Sequence, residues 1–249
     1  MKFTLGLSLG AWVIVALISG LLSFANTAEA DTLESKKVSS APMLDGSVDS
    51  IWASAKTIEV MLDKTPYKPN NGYSGMKEVK VTLKSVYDNK NVYFLVQYKD
   101  PTHSIDRFPW VKQSDGSWKQ LANKDDTGHD NTYYEDKFAM YWNINADKFE
   151  KRGCAAVCHK ARNGKIAGVV DKSPARKYTD KEGQTVDMWH WKGVRSNPVG
   201  MMDDQFVDHK KGSGGWGRHG DKGGGGYKNN INEAKTAPAF MSTAGMATG

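Results

Sequence analysis

The chain has 249 residues, enough for one large domain or two small ones, and carries a net charge of +6. Two cysteines are too few for a disulfide-dense scaffold. The lysines are scattered among acidic residues rather than clustered, which reads as a solvated surface open to an acidic partner and excludes a nucleic-acid-binding stripe.

The first thirty residues read as a leader rather than as fold. Lys2 precedes the apolar run "FTLGLSLGAWVIVALISGLLSFA", and Ala28 and Ala30 supply a small-residue cleavage site, so residues 1–30 are expected to be a signal peptide and Asp31 the first mature residue. The alternative is an uncleaved anchor, since the run is long enough to span a bilayer. Only retention of that segment would tie the protein to a membrane. In either case the remainder, 31–249, is expected to be exported and to form a single domain.

After a polar lead-in, "APMLDGSVDSIWASAKTIEV" (41–60) reads as a turn at Asp45-Gly46, an anchor at Trp52 and a strand. "TPYKPNNGYSG" is a loop. In "EVKVTLKSVYDNKNVYFLVQYKD" (78–100), Val79, Val81 and Leu83 alternate with Lys80, Thr82 and Lys84. Beyond a turn at Asp88-Asn89, Val92, Phe94 and Val96 alternate with Tyr93, Leu95 and Gln97. Two period-two runs about an Asp-Asn turn predict a β-hairpin. A long polar connection follows, and connections of that length are often functional. "YYEDKFAMYWNIN" (133–145) returns to strand with Phe138, Met140 and Trp142 on one face. "QTVDMWHWKGV" (184–194) is a second aromatic strand. The glycine-rich stretch 210–230 is expected to be a surface loop, and no periodic helix stands out. The fold class predicted is mainly β, a two-sheet antiparallel β-sandwich.

Both cysteines lie in "RGCAAVCHKAR" (152–162), on the segment after a strand. Cys154 and Cys158 are separated by three residues, and His159 follows the second directly. Two cysteines followed at once by histidine is the attachment pattern of covalent haem, except that the usual spacer is two residues. The thiols would bond the two vinyl groups and His159 the iron, with Ala155 and Ala156 small enough to let the longer spacer bulge. As a structural staple the pair is poor, because a loop this short constrains little unfolded-state entropy.

A second iron ligand would be a histidine or a methionine. Candidates are His103, His129, His190, His209 and His219, with Met188, Met201, Met202 and Met241. On a strand, "DMWHWK" puts Met188, His190 and Lys192 on one face and Asp187, Trp189 and Trp191 on the other. His190 is the first choice for the distal position and Met188 the alternative, with Trp189 and Trp191 as walls of the pocket. His209 and His219 lie in polar sequence and are expected to be solvated. Asp203 and Asp204 would bind a cation or hold Arg195, or form a polar turn; Asp125 and Asp126 are a weaker pair of the same kind.

"APMLDGSVDSIW", the hairpin with its trailing aspartate, "DKFAMYW" and "VDMWHWKGVRSNPVGMMDDQ" together resemble the haem-binding domain of the ethylbenzene dehydrogenase family, which includes the gamma subunits of dimethylsulfide dehydrogenase and selenate reductase. The resemblance implies a β-sandwich with one haem held by loops at one end, acting as an electron relay in the periplasm. It also implies a redox partner, a molybdenum oxidoreductase or another cytochrome. Those gamma subunits hold haem b through methionine and lysine. Here "CAAVCH" stands where the methionine is expected, which resembles a branch carrying covalent haem c. Family members continue beyond an element like "PAFM" (238–241), so the chain is expected to be C-terminally incomplete, and a ligand could lie past Gly249. The function expected is therefore a monohaem c-type cytochrome that transfers electrons. Two other classes remain: a copper-binding or redox-thiol protein using Cys154 and Cys158, and a carbohydrate-binding module whose tryptophans stack on sugars.

Overall fold

The computed structural model describes residues 32–63, 76–121, 134–159, 165–166, 169–170, 176–212 and 215–241, within a compact unit spanning Asp31–Gly249. The leader (1–30), His129 and the Asp125-Asp126 pair lie outside the described residues. Among those described, no helix is long and apolar enough to cross a membrane.

The first sheet is built around the predicted hairpin. Strands β1 (Ser35–Lys37), β2 (Ile58–Leu62), β3 (Val79–Tyr87) and β4 (Val92–Tyr98) form it, with β3 at the centre. β4 pairs antiparallel along one edge of β3, from Tyr87↔Val92 to Val81↔Tyr98. The other edge is shared: β2 runs antiparallel against Val79–Leu83, and β1 runs parallel against Ser85–Tyr87. The expectation of purely antiparallel sheets therefore needs amending by one short parallel pair. In the hairpin loop the Asp88 carboxylate accepts from the amides of Lys90 and Asn91, at 2.7 and 2.8 Å, and from the Tyr93 hydroxyl. Those bonds satisfy backbone donors that the turn would leave unpaired, and they hold its carboxyl below the usual range.

One face of this sheet is closed by Trp52, as expected. It sits in the 3₁₀ turn Ser50–Ser54, capped by Asp49, and packs with Ala55 and Val86, flanked by Tyr93 and Leu95. The other face carries Phe94 and Tyr98 toward the second sheet.

Strand β5 (Trp110–Lys112) pairs with β6 (Trp118–Gln120) in a small separate hairpin. Strand β7 (Lys137–Asn143) opens the second sheet and is followed by a single helical turn, Phe149–Arg152, and a 3₁₀ turn, Gly153–Ala156. Four two-residue strands come next: β8 (Cys158–His159), β9 (Lys165–Ile166), β10 (Val169–Val170) and β11 (Arg176–Lys177). Then follow β12 (Val186–Lys192), β13 (Asp203–Gly212) and β14 (Gly215–Gly220). The second sheet has the order β14-β13-β12-β7, antiparallel throughout. Strand β14 occupies part of the stretch expected to be a loop. The backbone ladder to β13 overrides the poor strand propensity of its glycines.

The two sheets face each other through aromatic rings. Phe94 lies 5.4 Å from Trp142 and 6.2 Å from Trp189, and Tyr98 stacks on Phe138 at 6.2 Å. This is the predicted mainly-β, two-sheet arrangement, with period-two alternation sending one row of each strand inward.

The opposite face of the second sheet carries its own apolar cluster: Val186, Met188, Val207, Val157 and Ala146, with Ala139, Tyr141 and Phe149 against it. Val157 belongs to the cysteine segment, so that segment lies on this outer face. Three backbone ties fix it there. β8 pairs with β11, Tyr178 N–H donates to the Val157 carbonyl at 2.9 Å, and Thr179 N–H donates to the Asp208 carbonyl at 3.0 Å. The approach is so close that Gly217, at φ +73°, has no room for a side chain: a Cβ would stand 2.3 Å from the Lys177 carbonyl oxygen and 2.5 Å from that of Asp208.

Gly217→Ala is therefore expected to destabilise the fold by on the order of 3 kcal/mol in urea unfolding, from backbone strain plus collision. Amide exchange should accelerate over residues 154–159 and 176–179. Gly220→Ala, where a Cβ meets open space, should change neither.

Candidate functional site

Strand β12 sets the geometry of the candidate site. It is paired on both edges, with His190 opposite Asp203 on one side and Ala139 on the other, and Lys192 opposite Lys137. Its burial alternates strictly: Val186, Met188, His190 and Lys192 are buried on the outer face, while Asp187, Trp189 and Trp191 are half-buried. The outer face changes character along its length. Met188 is sealed into the apolar cluster, and two residues on, the surroundings of His190 are polar.

His190 is 6 % exposed, and its Nδ1 lies 3.2 Å from Gln205 Oε1. An amide oxygen only accepts, so Nδ1 carries the proton and Nε2 keeps its lone pair. Burial, then the neighbouring charges of Lys192 and Lys137, push the imidazole pKa down to about 2. The ring is therefore neutral throughout the physiological range, the form that binds metal.

Lys192 is buried and ion-paired to Asp203, and its ammonium lies 4.5 Å from the Tyr227 ring centroid. Its pKa is lowered by burial against the raising effect of Asp203. Asp203 thus holds Lys192, not Arg195 as the sequence suggested. Arg195 is held by Glu135, Nε to Oε1 at 2.6 Å, and Glu135 also accepts from the amides of Val194 and Arg195 and lies 3.7 Å from Arg107. Asp204 projects to the other face, where burial and Asp187 raise its pKa. The two adjacent carboxylates cannot share an ion on a strand. Among the described residues, no group of three or more His, Cys, Asp or Glu side chains could hold a metal ion.

Cys154 is exposed, and Cys158 and His159 form β8 on the same side of the second sheet as Met188 and His190. The side chains of Cys158 and His159 lie outside the described residues. Trp189 joins the inter-sheet cluster, 5.0 Å from Trp142, and Trp191 donates to Asn197 Oδ1 at 3.2 Å. Both leave β12 on the face away from His190. His103, Met201 and Met241 are exposed. His219 is not solvated as expected: its Nε2 lies 2.7 Å from Asp208 Oδ1, and its ring stacks on Phe206 at 4.7 Å. His209 is likewise only partly exposed, with Nε2 3.9 Å from Glu182.

Lys137, Glu135 and Gln205 were not singled out by the sequence. A weak signal exists for Lys137: in "KFAMYW" it shares a parity with Ala139 and Tyr141, the outer-face residues, and so is carried half-buried onto the same face. Its pKa is pushed down to about 6, chiefly by burial and then by Arg195. Its ammonium sits 3.7 Å from the Tyr134 ring centroid.

Two outcomes follow. Glu135→Ala strands a buried Arg195 and two amides, and should cost about 3–5 kcal/mol in denaturant unfolding. His190 is neutral in the folded chain, whereas in the unfolded chain it titrates at its ordinary pKa of about 6.5. Below that value the unfolded state binds the extra proton, so stability falls with falling pH, by on the order of 1 kcal/mol per unit, down toward pH 2. His190→Gln should flatten this limb in apo-protein unfolding measured from pH 7 to pH 4.

No curated protein and no solved structure matches the chain significantly. A family model described as ethylbenzene dehydrogenase matches residues 49–249. The match takes in the first sheet apart from β1, the whole second sheet and the cysteine segment, so the chain belongs to the ethylbenzene dehydrogenase family.

Proposed function

We propose that this chain is an exported haem protein that passes electrons to or from a partner oxidoreductase, with one haem c attached through Cys154 and Cys158. The observation that carries the reading is the placement of the cysteine segment. Val157 is fully buried against the cluster that contains Met188, so the Cys-x₃-Cys-His backbone lies over the face of β12 that presents His190. Family membership supports a role as a subunit of a molybdenum enzyme complex, with that complex as the redox partner.

Haem iron supplies one-electron chemistry; the residues supply attachment, ligation and shielding. Cys154 and Cys158 would hold the macrocycle and His159 the proximal side of the iron. His190 would serve as the second iron ligand, being neutral and buried, with its ring oriented and its tautomer fixed by the Gln205 bond. Met188 is the alternative, but it is fully buried in the apolar cluster. On this face the wall is formed by Tyr141, Phe149 and Val157, while Trp189 stays between the sheets and Trp191 turns to Asn197. Export places haem attachment and electron transfer in the periplasm, or at its membrane if the leader is retained.

The test is a haem-stained denaturing gel with a visible spectrum of protein made alongside a haem c maturation system. A stained band near the size of the mature chain is expected, with Cys154→Ser and Cys158→Ser each reducing it. His190→Ala should turn a low-spin spectrum high-spin and let the reduced protein bind carbon monoxide, whereas the volume-conserving Met188→Leu should not. Colour lost to acid-acetone would refute covalent attachment. A colourless chain that binds Cu(I) would favour the copper-thiolate alternative.

A further inference from the structure

The net charge of the chain is concentrated in one place. From the start of the helical turn to the end of β11, residues 149–177 hold eight of the 34 basic residues and two of the 28 acidic ones, Glu150 and Asp171. Their surplus of six equals the +6 of the whole chain, so everywhere else the two signs cancel. Pairing with neighbours does not remove that surplus. Residues 145–148 and 178–184 flank the stretch, and 208–220 are tied to it where Thr179 N–H donates to the Asp208 carbonyl. Together these flanks add four carboxylates and five cations. Two of the four carboxylates are already engaged, Asp147 by Lys181 and Asp208 by His219. Whichever pairs form, the region as a whole stays positive.

The exposed part of this region adjoins the first cysteine. Lys151, Arg152, Gly153 and Cys154 are exposed in succession, as is Lys148 just before the helical turn. Ile144, 63 % exposed, adds an apolar residue on the same connection. Electron transfer weakens steeply with distance, so a partner must approach the edge at which the macrocycle is attached. Opposite charge then orients the approach and speeds it, while a small apolar contact lets the two surfaces close. We infer that the exposed surface around Cys154, with Lys148 and Lys151 as its cations, is the face on which the redox partner docks, and that the partner meets it with carboxylates. This rests on the haem reading above. An anionic lipid surface would also be drawn to this charge, and the experiment separates the two.

Reduced holoprotein is mixed by stopped flow with an anionic oxidant, ferricyanide, or a cationic one, tris(phenanthroline)cobalt(III). Each takes one electron from the protein and is itself reduced. Wild type is compared with Lys148→Glu/Lys151→Glu. The control is Lys56→Glu/Lys80→Glu, an equal change of charge at two exposed lysines paired to Glu34 and Glu59. Added salt should slow the ferricyanide reaction of wild type and speed the cobalt reaction. At low salt the Lys148→Glu/Lys151→Glu protein should react roughly fivefold more slowly with ferricyanide and faster with the cobalt complex, and the control should change by less than about twofold. Poly-L-glutamate, an acidic polymer, should slow ferricyanide oxidation of wild type and control but not of Lys148→Glu/Lys151→Glu. If that variant does not accumulate, Lys148→Gln/Lys151→Gln should move the rates the same way by less. A haem-stained protein whose rates ignore salt, respond equally to both pairs of substitutions, or are untouched by poly-L-glutamate would overturn the docking face and leave the haem reading in place. An unstained, colourless wild type would overturn both. Flotation of the mature wild type, but not of Lys148→Glu/Lys151→Glu, with phosphatidylglycerol vesicles would assign the face to an anionic lipid surface instead.

Discussion

Pairing on both edges of β12 is the constraint on which the rest depends. A strand hydrogen-bonded to β13 on one side and β7 on the other cannot slip by one residue without reversing every side chain. Its sequence would not tolerate that reversal. One row is Val186, Met188, His190 and Lys192, which suits a dry face with one polar end. The other is Asp187, Trp189 and Trp191, which suits the half-buried space between two sheets. Fixing the register therefore fixes at once where the aromatic bridge forms, which face the cysteine segment covers, and on which face His190 lies.

Charge, rather than apolar packing, distinguishes the two ends of the outer face. Exposed pairs such as Lys80–Glu59 contribute about 0–1 kcal/mol and position nothing. Glu135 and Asp203 differ because they lie inside, where removing one partner costs several times more. They hold Arg195 and Lys192 in place, and those cations in turn help keep His190 unprotonated and depress Lys137. Burial keeps the histidine neutral, and the charge of Lys192, held in place by Asp203, adds to that effect.

Much of this was legible in the sequence because short-range rules govern it. The alternation of 78–100 and its Asp88 turn gave the hairpin, and the parity of "DMWHWK" gave the two faces of β12. Trp52 as an anchor followed from one large apolar residue in a polar stretch. What was not legible depends on partners far along the chain. The parallel seat of β1 on β3, the strand within the glycine-rich segment and the engagement of His219 by Asp208 are all set by tertiary pairing that overrides local composition. At the candidate site, strand parity put His190 on the same face as Met188 and Lys192, but it could not give Gln205, which orients the ring, because that residue arrives from β13.

Strand β14 closes the second sheet, and an edge strand is where a second chain can add and begin a fibre. This edge is a poor template. Its glycines weaken extended pairing, and the shift in register between Val207 and Lys211 breaks the ladder it would extend. The Lys177–Tyr178 backbone presses against it at Gly217. A stretch that looks like flexible filler thus guards the sheet against adding a second chain at its edge.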